Sequence, residues 1–210
     1  MVEPEIAYAE LDDVVAVAED FICSIVQRVL KDNRPELEFL GRDLSKLEKI
    51  QKPFNRLTHK EAADILRGPR AKELLETDLA TKSARVAEIK NLVVEKEAKE
   101  KAQGIKQWEK DKLVQELADL RDELDDLQAD VQNIPHHIKL AASFDENGDL
   151  GGSDETIISR LHERPTFVTH YPRGCKAFYM KQNANDPTRV NNVDLLAPDG
   201  YGEIIGGSQR

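Results

Sequence analysis

From Leu113 onward the apolar positions are Leu113, Leu117, Leu120, Leu124, Leu127, Val131 and Ile134, in alternating steps of four and three. That spacing is the seam of a coiled coil. The preceding stretch, Leu75, Leu79, Lys82, Val86, Ile89, Val93 and Lys96, keeps the rhythm, with two lysines weakening the seam. Gly104 falls between the runs, where a reversal is needed; Pro69 suits the first turn of a helix and Pro135 lies just past the far end. Residues 70–135 therefore read as an antiparallel hairpin of two helices, roughly 45 Å long at the α-helical rise.

The flanks have a different texture. Val14, Val15, Ala18, Phe21, Ile22, Ile25, Val26 and Val29 recur at helical spacing behind a cap at Asp12 or Asp13, and Arg34-Pro35 ends the run. So wide a stripe predicts a helix lying on a sheet or core. Asp43–Glu48 reads as an exposed turn or short helix, and Thr58-His59-Lys60-Glu61 is a capping box for another. After the hairpin, Ser153 is expected to cap a short helix over 154–161. Residues 166–169, 176–181, 190–196 and 203–205 are strand candidates, separated by turn chemistry at 171–174, 183–188 and 197–202. Close-set strands predict an antiparallel sheet, and the whole an α+β fold. The expected division is 1–69, 70–135 and 136–210.

Charge alters this picture once it is split along the chain. The total is −10 from 30 basic and 40 acidic residues. An acidic balance argues against a nucleic-acid coat. Yet residues 104–135 alone hold 4 basic and 9 acidic side chains, so half of the excess lies in one helix of the hairpin. There Asp119, Asp122, Glu123, Asp125 and Asp126 would repel phosphate, which leaves the hairpin as a structural arm or as one that meets a protein partner. No apolar run is long enough to span a membrane, and no signal peptide is visible. Cys23 and Cys175 cannot build a disulfide framework and suit a reducing, cytosolic compartment.

P-loop, GxGxxG, HExxH and CxxC motifs are all missing. His136-His137 reads as a surface pair more readily than as metal ligands. The strongest local signal is Asp194 and Glu203, on neighbouring strand candidates joined by a Pro/Gly turn. Such a pair either lies on the surface of a plain hairpin or holds Mg²⁺ on a nucleoside triphosphate. Gly206 and Gly207 permit close backbone approach, and Arg210 has the fork for a carbonyl, carboxylate or phosphate.

Four segments carry a resemblance. MVEPEIAYAELDD is similar to the close of motif 2 in class II aminoacyl-tRNA synthetases. DLGGSDETIISRL, RPTFVTHYPRGCKAFYMKQN and VDLLAPDGYGEIIGGSQR resemble the asparaginyl branch. The likeness covers 1–69 and 144–210, nearly two thirds of the chain, and implies part of the antiparallel catalytic sheet with flanking helices, interrupted by the hairpin as an insertion. It implies ATP- and Mg²⁺-dependent activation of asparagine and transfer to tRNA(Asn). It makes Asp194 and Glu203 the carboxylates at Mg²⁺–ATP, with Ser208 at the metal or α-phosphate. Arg210 would take the side-chain carbonyl of asparagine, giving Glu203 and Arg210 the catalytic roles. Gly206 and Gly207 would line the amino-acid pocket, Lys176, Phe178 and Tyr179 would stand on the strand beside it, and Glu155 would shape it.

Motif 1, the motif 2 arginine and the motif 3 arginine are not matched, so the chain is expected to be a synthetase segment without pyrophosphate exchange of its own. Homodimerisation, a motif 1 property, would then involve regions beyond it. Aspartyl-tRNA synthetase, a synthetase-derived asparagine synthetase and a non-catalytic interaction protein using the hairpin are the alternatives.

Overall fold

Hydrophobic period sets the architecture. In the computed structural model, which describes residues 2–101 and 106–210, the chain divides into two units, 1–71 with 143–210, and 72–142. The first is an α/β unit. Helix α1 (Leu11–Asp32) starts from Glu10, whose N–H donates to the Asp13 carboxylate at 2.9 Å, so the cap lies just before the expected aspartates. It stops before Arg34-Pro35 as expected, but Pro35 then opens a second short helix, α2 (Arg34–Phe39), because proline suits a first turn. Helix α3 (Leu44–Glu48) is capped by Asp43, which accepts from the Ser45 N–H.

Strand β1 (Asn55–Thr58) runs directly into α4 (His59–Arg67), and Thr58 both ends the strand and forms the capping box with Glu61. Helix α7 (Gly152–Arg160) is capped from Gly151, whose N–H reaches Asp154 at 3.0 Å, instead of from Ser153. Strands β2 (Thr166–Thr169), β3 (Asn192–Ala197) and β4 (Gly202–Ser208) complete one sheet in the order β1-β2-β3-β4.

Two expectations need correction. The sheet is mixed: β2, β3 and β4 pair antiparallel, while β1 pairs parallel to β2 through Asn55↔Thr166 to Thr58↔Thr169. The sequence hides β1 because it holds one large apolar residue, Leu57, and its partner lies over a hundred residues away. Residues 176–181 form no strand. Arg173–Cys175 make one 3₁₀ turn, Met180 N–H closes a turn onto the Ala177 carbonyl, and Phe178 is 99% exposed. Half-buried alternation, the physical basis of a strand, is missing there.

Alternation along β3 divides the core. Val193 and Leu195 face α1, joining Val15, Ala18, Cys23, Ile50, Phe54 and Phe167 in one cluster. The buried carboxylate of Glu19 accepts the Phe54 N–H at 2.6 Å within it. Asn192, Asp194 and Leu196 point the other way, to the face where α4 and α7 bury Ala62, Ala63, Leu66, Ile157 and Ile158.

The second unit consists of α5 (Pro69–Glu100) and α6 (Gln107–Ala142), apart from the first residues of α5. The heptad residues form its seam, with Leu75, Ile89, Leu117 and Ile134 buried and the rest half-buried. The two seam lysines are matched across it, Lys82 to Asp130 and Lys96 to Glu116, and Arg85 takes Glu123 through two bonds of 2.8 and 3.1 Å. Pairs of this kind fix register. Pro135 lies inside α6, not past its end, and the seam continues to Ile138 and Ala141. Pro135 is on an exposed position; it removes one intrahelical bond and crowds the Val131 carbonyl, a cost the helix carries. The expected reversal at Gly104 lies outside the described residues.

Candidate active site

The α4/α7 face of the sheet carries a cluster of charge. Asp194 is a central residue of β3 and is 8% exposed. Glu203 enters from β4 just after Gly202, whose φ of +77° is a left-handed conformation that glycine adopts without strain. A β-bulge between Leu195 and Leu196 adjusts the pairing there, and Asp194 stands opposite Gly206. Both carboxylates close over that glycine. A Cβ at Gly206 would collide with the Glu203 carboxylate and would stand 3.7 Å from Asp194 Oδ1. The glycine is therefore what lets the two acids converge.

Further groups complete the cluster. Glu155, on α7, accepts the Glu203 N–H through Oε2 at 3.2 Å. Lys176 Nζ lies 2.9 Å from Asp149 Oδ1 and 3.1 Å from Asp194 Oδ2, and 4.0 Å above the ring of the buried Tyr171. Partial burial, then Asp194 and Glu155, push the Glu203 carboxyl above the usual glutamate range. Burial likewise raises Glu155, with Asp194 adding to it. Desolvation pulls the Lys176 ammonium down, but Asp194 and Asp149 outweigh it and hold it above its ordinary value. The site thus carries negative charge in excess of its internal counter-charge, a state that an incoming cation relieves.

The donor set fits a magnesium ion that arrives with a phosphate ligand. Magnesium takes one or two carboxylates and fills its remaining positions with water and phosphate oxygens. Asp194 and Glu203 offer that pair, and among the described residues no group of three or more His, Cys, Asp or Glu is arranged to hold a metal unaided.

A second grouping lies at the end of β4. Arg210 bonds Glu5 at 2.9 Å, and its guanidinium carbon lies 5.2 Å from the centre of the Tyr179 ring. Ser208 follows Gly206 on the same face of β4, two residues along, opposite Asn192. Gly207 points the other way, toward Val14 and Val193 under α1, so its missing side chain leaves room on the core face and not beside Asp194. The structure thus gathers Asp194, Glu203, Glu155, Gly206 and Lys176, places Arg210 with Tyr179, and leaves Phe178 in solvent. His136 and His137 neighbour each other on α6, with ring centres 6.4 Å apart.

Sequence reasoning missed Asp149, Tyr171 and Glu5. Asp149 and Glu5 fall inside the segments that carry the resemblance, and that membership is the only signal they give. Tyr171 lies in such a segment too, but its place as the floor beneath a lysine is set only by the fold.

The whole chain, residues 1–210, matches the tRNA synthetases class II (D, K and N). The chain belongs to this family. Among class II relatives, the asparagine–tRNA ligase of Sorangium cellulosum (strain So ce56) is 37% identical over 210 residues, covering all of this chain and 34% of that protein. The asparagine–tRNA ligase of Koribacter versatilis (strain Ellin345) is 36% identical, covering all of this chain and 33% of that protein. The crystal structure of asparaginyl-tRNA synthetase from Pyrococcus horikoshii complexed with asparaginyl-adenylate superposes with a TM-score of 0.59 at 29% identity. It covers 97% of this chain and 31% of that one. The α+β fold of this class II chain is accordingly that of asparaginyl-tRNA synthetases, and the chain spans about a third of the length of the curated relatives it matches.

Proposed function

We propose that this chain supplies the ATP- and amino-acid-binding part of an asparagine–tRNA ligase. The protein that carries it would join asparagine to ATP, forming the aminoacyl-adenylate and releasing pyrophosphate, and then pass the asparaginyl group to tRNA(Asn). The observation that carries the reading is the convergence of Asp194 and Glu203 over Gly206.

In this reading Asp194 and Glu203 hold Mg²⁺ on ATP. The ion, when bound, neutralises phosphate charge and orients the triphosphate. Ser208, on the same face, lies toward the metal or the α-phosphate. Arg210 hydrogen-bonds the carbonyl of the asparagine side chain, steadied by Glu5 and by the face of Tyr179. Gly206 keeps the strand surface low enough for substrate, and Glu155 fixes the start of β4 by accepting the Glu203 N–H. The substrate's own carboxylate is the nucleophile, so these side chains act by positioning and electrostatics. Gly207 is kept as a backbone element of the pocket wall.

We treat the 72–142 hairpin as an arm inserted into this catalytic segment, available to a protein partner. Among the described residues no helix is long and apolar enough to cross a membrane, and we place the protein in the cytoplasm. Pyrophosphate exchange by the protein that carries this chain tests the assignment. Exchange should depend on asparagine; exchange supported equally by aspartate would contradict the amide specificity.

A further inference from the structure

Lys176 is surrounded more completely than a substrate ligand would be. Its side chain is 14% exposed, and it leaves the loop just after the Arg173–Cys175 turn. That loop is tied to the sheet where Tyr171 N–H donates to Asn192 Oδ1 at 3.0 Å and Val190 N–H to the Tyr171 carbonyl at 3.0 Å. An ammonium has three N–H donors and no acceptor. Here two directions are taken by Asp149 and Asp194, and the face of Tyr171 lies 4.0 Å from Nζ. With two ion pairs and a π face, no donor remains for an amino-acid substrate.

The consequence falls on Asp194. Its Oδ2 is occupied by Lys176, which leaves Oδ1 turned toward Gly206 and the Glu203 carboxylate. We propose that Lys176, clamped by Asp149, is a positioning residue that holds Asp194 in this orientation, and that it does not bind the amino acid. The inference rests on Asp194 and Glu203 being the Mg²⁺–ATP carboxylates. Asp149 acts one step further out, by keeping the lysine from swinging off Asp194.

The test uses asparagine-dependent pyrophosphate exchange by the protein that carries this chain, with Lys176→Met, Asp149→Asn and Asp194→Asn. Loss of an outer group that orients a metal ligand typically weakens metal binding by about 10–100-fold. Lys176→Met and Asp149→Asn should therefore raise the Mg²⁺ concentration needed for half-maximal exchange, and for half-maximal ATP binding measured by calorimetry, by about tenfold or more, while the KM for asparagine stays within about twofold. A tenfold rise in the KM for asparagine, with the Mg²⁺ dependence unmoved, would overturn the proposal. Should Lys176→Met fail to fold, Asp149→Asn decides alone, since Asp149 is half-exposed on a loop. Asp194→Asn separates the two levels. If it leaves exchange intact, the reading of the site fails and the positioning role with it; if it abolishes exchange while Asp149→Asn leaves the Mg²⁺ dependence unchanged, only the positioning role fails.

Discussion

The hairpin and the α/β unit treat charge in opposite ways. In the hairpin, cations meet acids across the seam: Lys82 with Asp130, Arg85 with Glu123, Lys96 with Glu116 and Arg121 with Glu97. The pairs are half-exposed and contribute mainly to register. In the α/β unit Asp149 and Asp194 hold the Lys176 ammonium, Glu155 and Glu203 lie beside them, and burial, with Asp194 adding to it, pushes the two glutamates up. Paired charge makes a durable arm. Unbalanced charge, held in place by a sheet, leaves an excess of carboxylate over counter-charge, which the proposed function assigns to Mg²⁺ on ATP.

The first way to break this comparison is through the core that carries the cluster. Leu195 is fully buried between the sheet and α1, and Leu195→Ala should cost about 2–5 kcal/mol in chemical denaturation of the α/β unit. A half-buried seam residue such as Leu124 should cost less when cut to alanine. Equal losses would mean that the two units do not differ in packing as described. The next effect is local. Gly206→Ala places a methyl group against the Glu203 carboxylate and should lower pyrophosphate exchange about tenfold, equivalent to about 1.4 kcal/mol in the barrier. An unchanged rate would show that Glu203 is free to move.

Legibility in the sequence followed the same division. A heptad seam is a local rule, so Leu113 to Ile134 announced α6, and α1 and α4 were readable from their stripes and caps. Pro135 misled because proline ordinarily marks a helix end, whereas here the apolar seam continues past it to Ala141 and the helix runs on. Strand β1 was silent because its stability comes from Thr166–Thr169, far along the chain. The KAFYM segment looked like a strand by composition, but its order comes from Lys176 reaching Asp149 and Asp194 and from Lys181 N–H bonding the Gln209 carbonyl at 2.8 Å. At the site, Asp194, Glu203 and Arg210 were visible as motif residues. Asp149, Glu5 and Tyr171 were not, because their roles depend on contacts that only the fold creates.

Titration gives a smaller effect that sharpens the contrast. His59 is fully buried, lies 4.7 Å from the Tyr171 ring centre with the two rings tilted to each other, and has Arg189 3.3 Å from Nδ1. Burial, then Arg189, hold its pKa below 6.5. The unfolded chain then binds more protons than the folded one below that value. Stability of the α/β unit should be flat with respect to this group above pH 6.5 and fall as pH drops through 6.5 toward the folded value. His59→Phe should flatten that limb in denaturation curves taken across the range, and an identical slope would sink the assignment. Glu155 and Glu203 act with the other sign, since their raised values stabilise the fold below pH 4.5 and that contribution is lost as the acids ionise.

The smallest effect expected is in the arm. Replacing Lys82 and Lys96 together by leucine should raise the helical melting temperature, since half-exposed ion pairs contribute little and leucine completes the apolar heptad positions. It should also loosen register, read as broadened amide signals along α5 and α6. A sharper or unchanged spectrum would show that the pairs do not fix register.

The central claim is that the carboxylates over Gly206 serve amino-acid activation. Asparagine-dependent pyrophosphate exchange, comparing the protein that carries this chain with its Asp194→Asn form, tests it most directly. The account predicts a loss of roughly 100-fold or more with the circular dichroism spectrum unchanged. Equal rates in the two forms would contradict it.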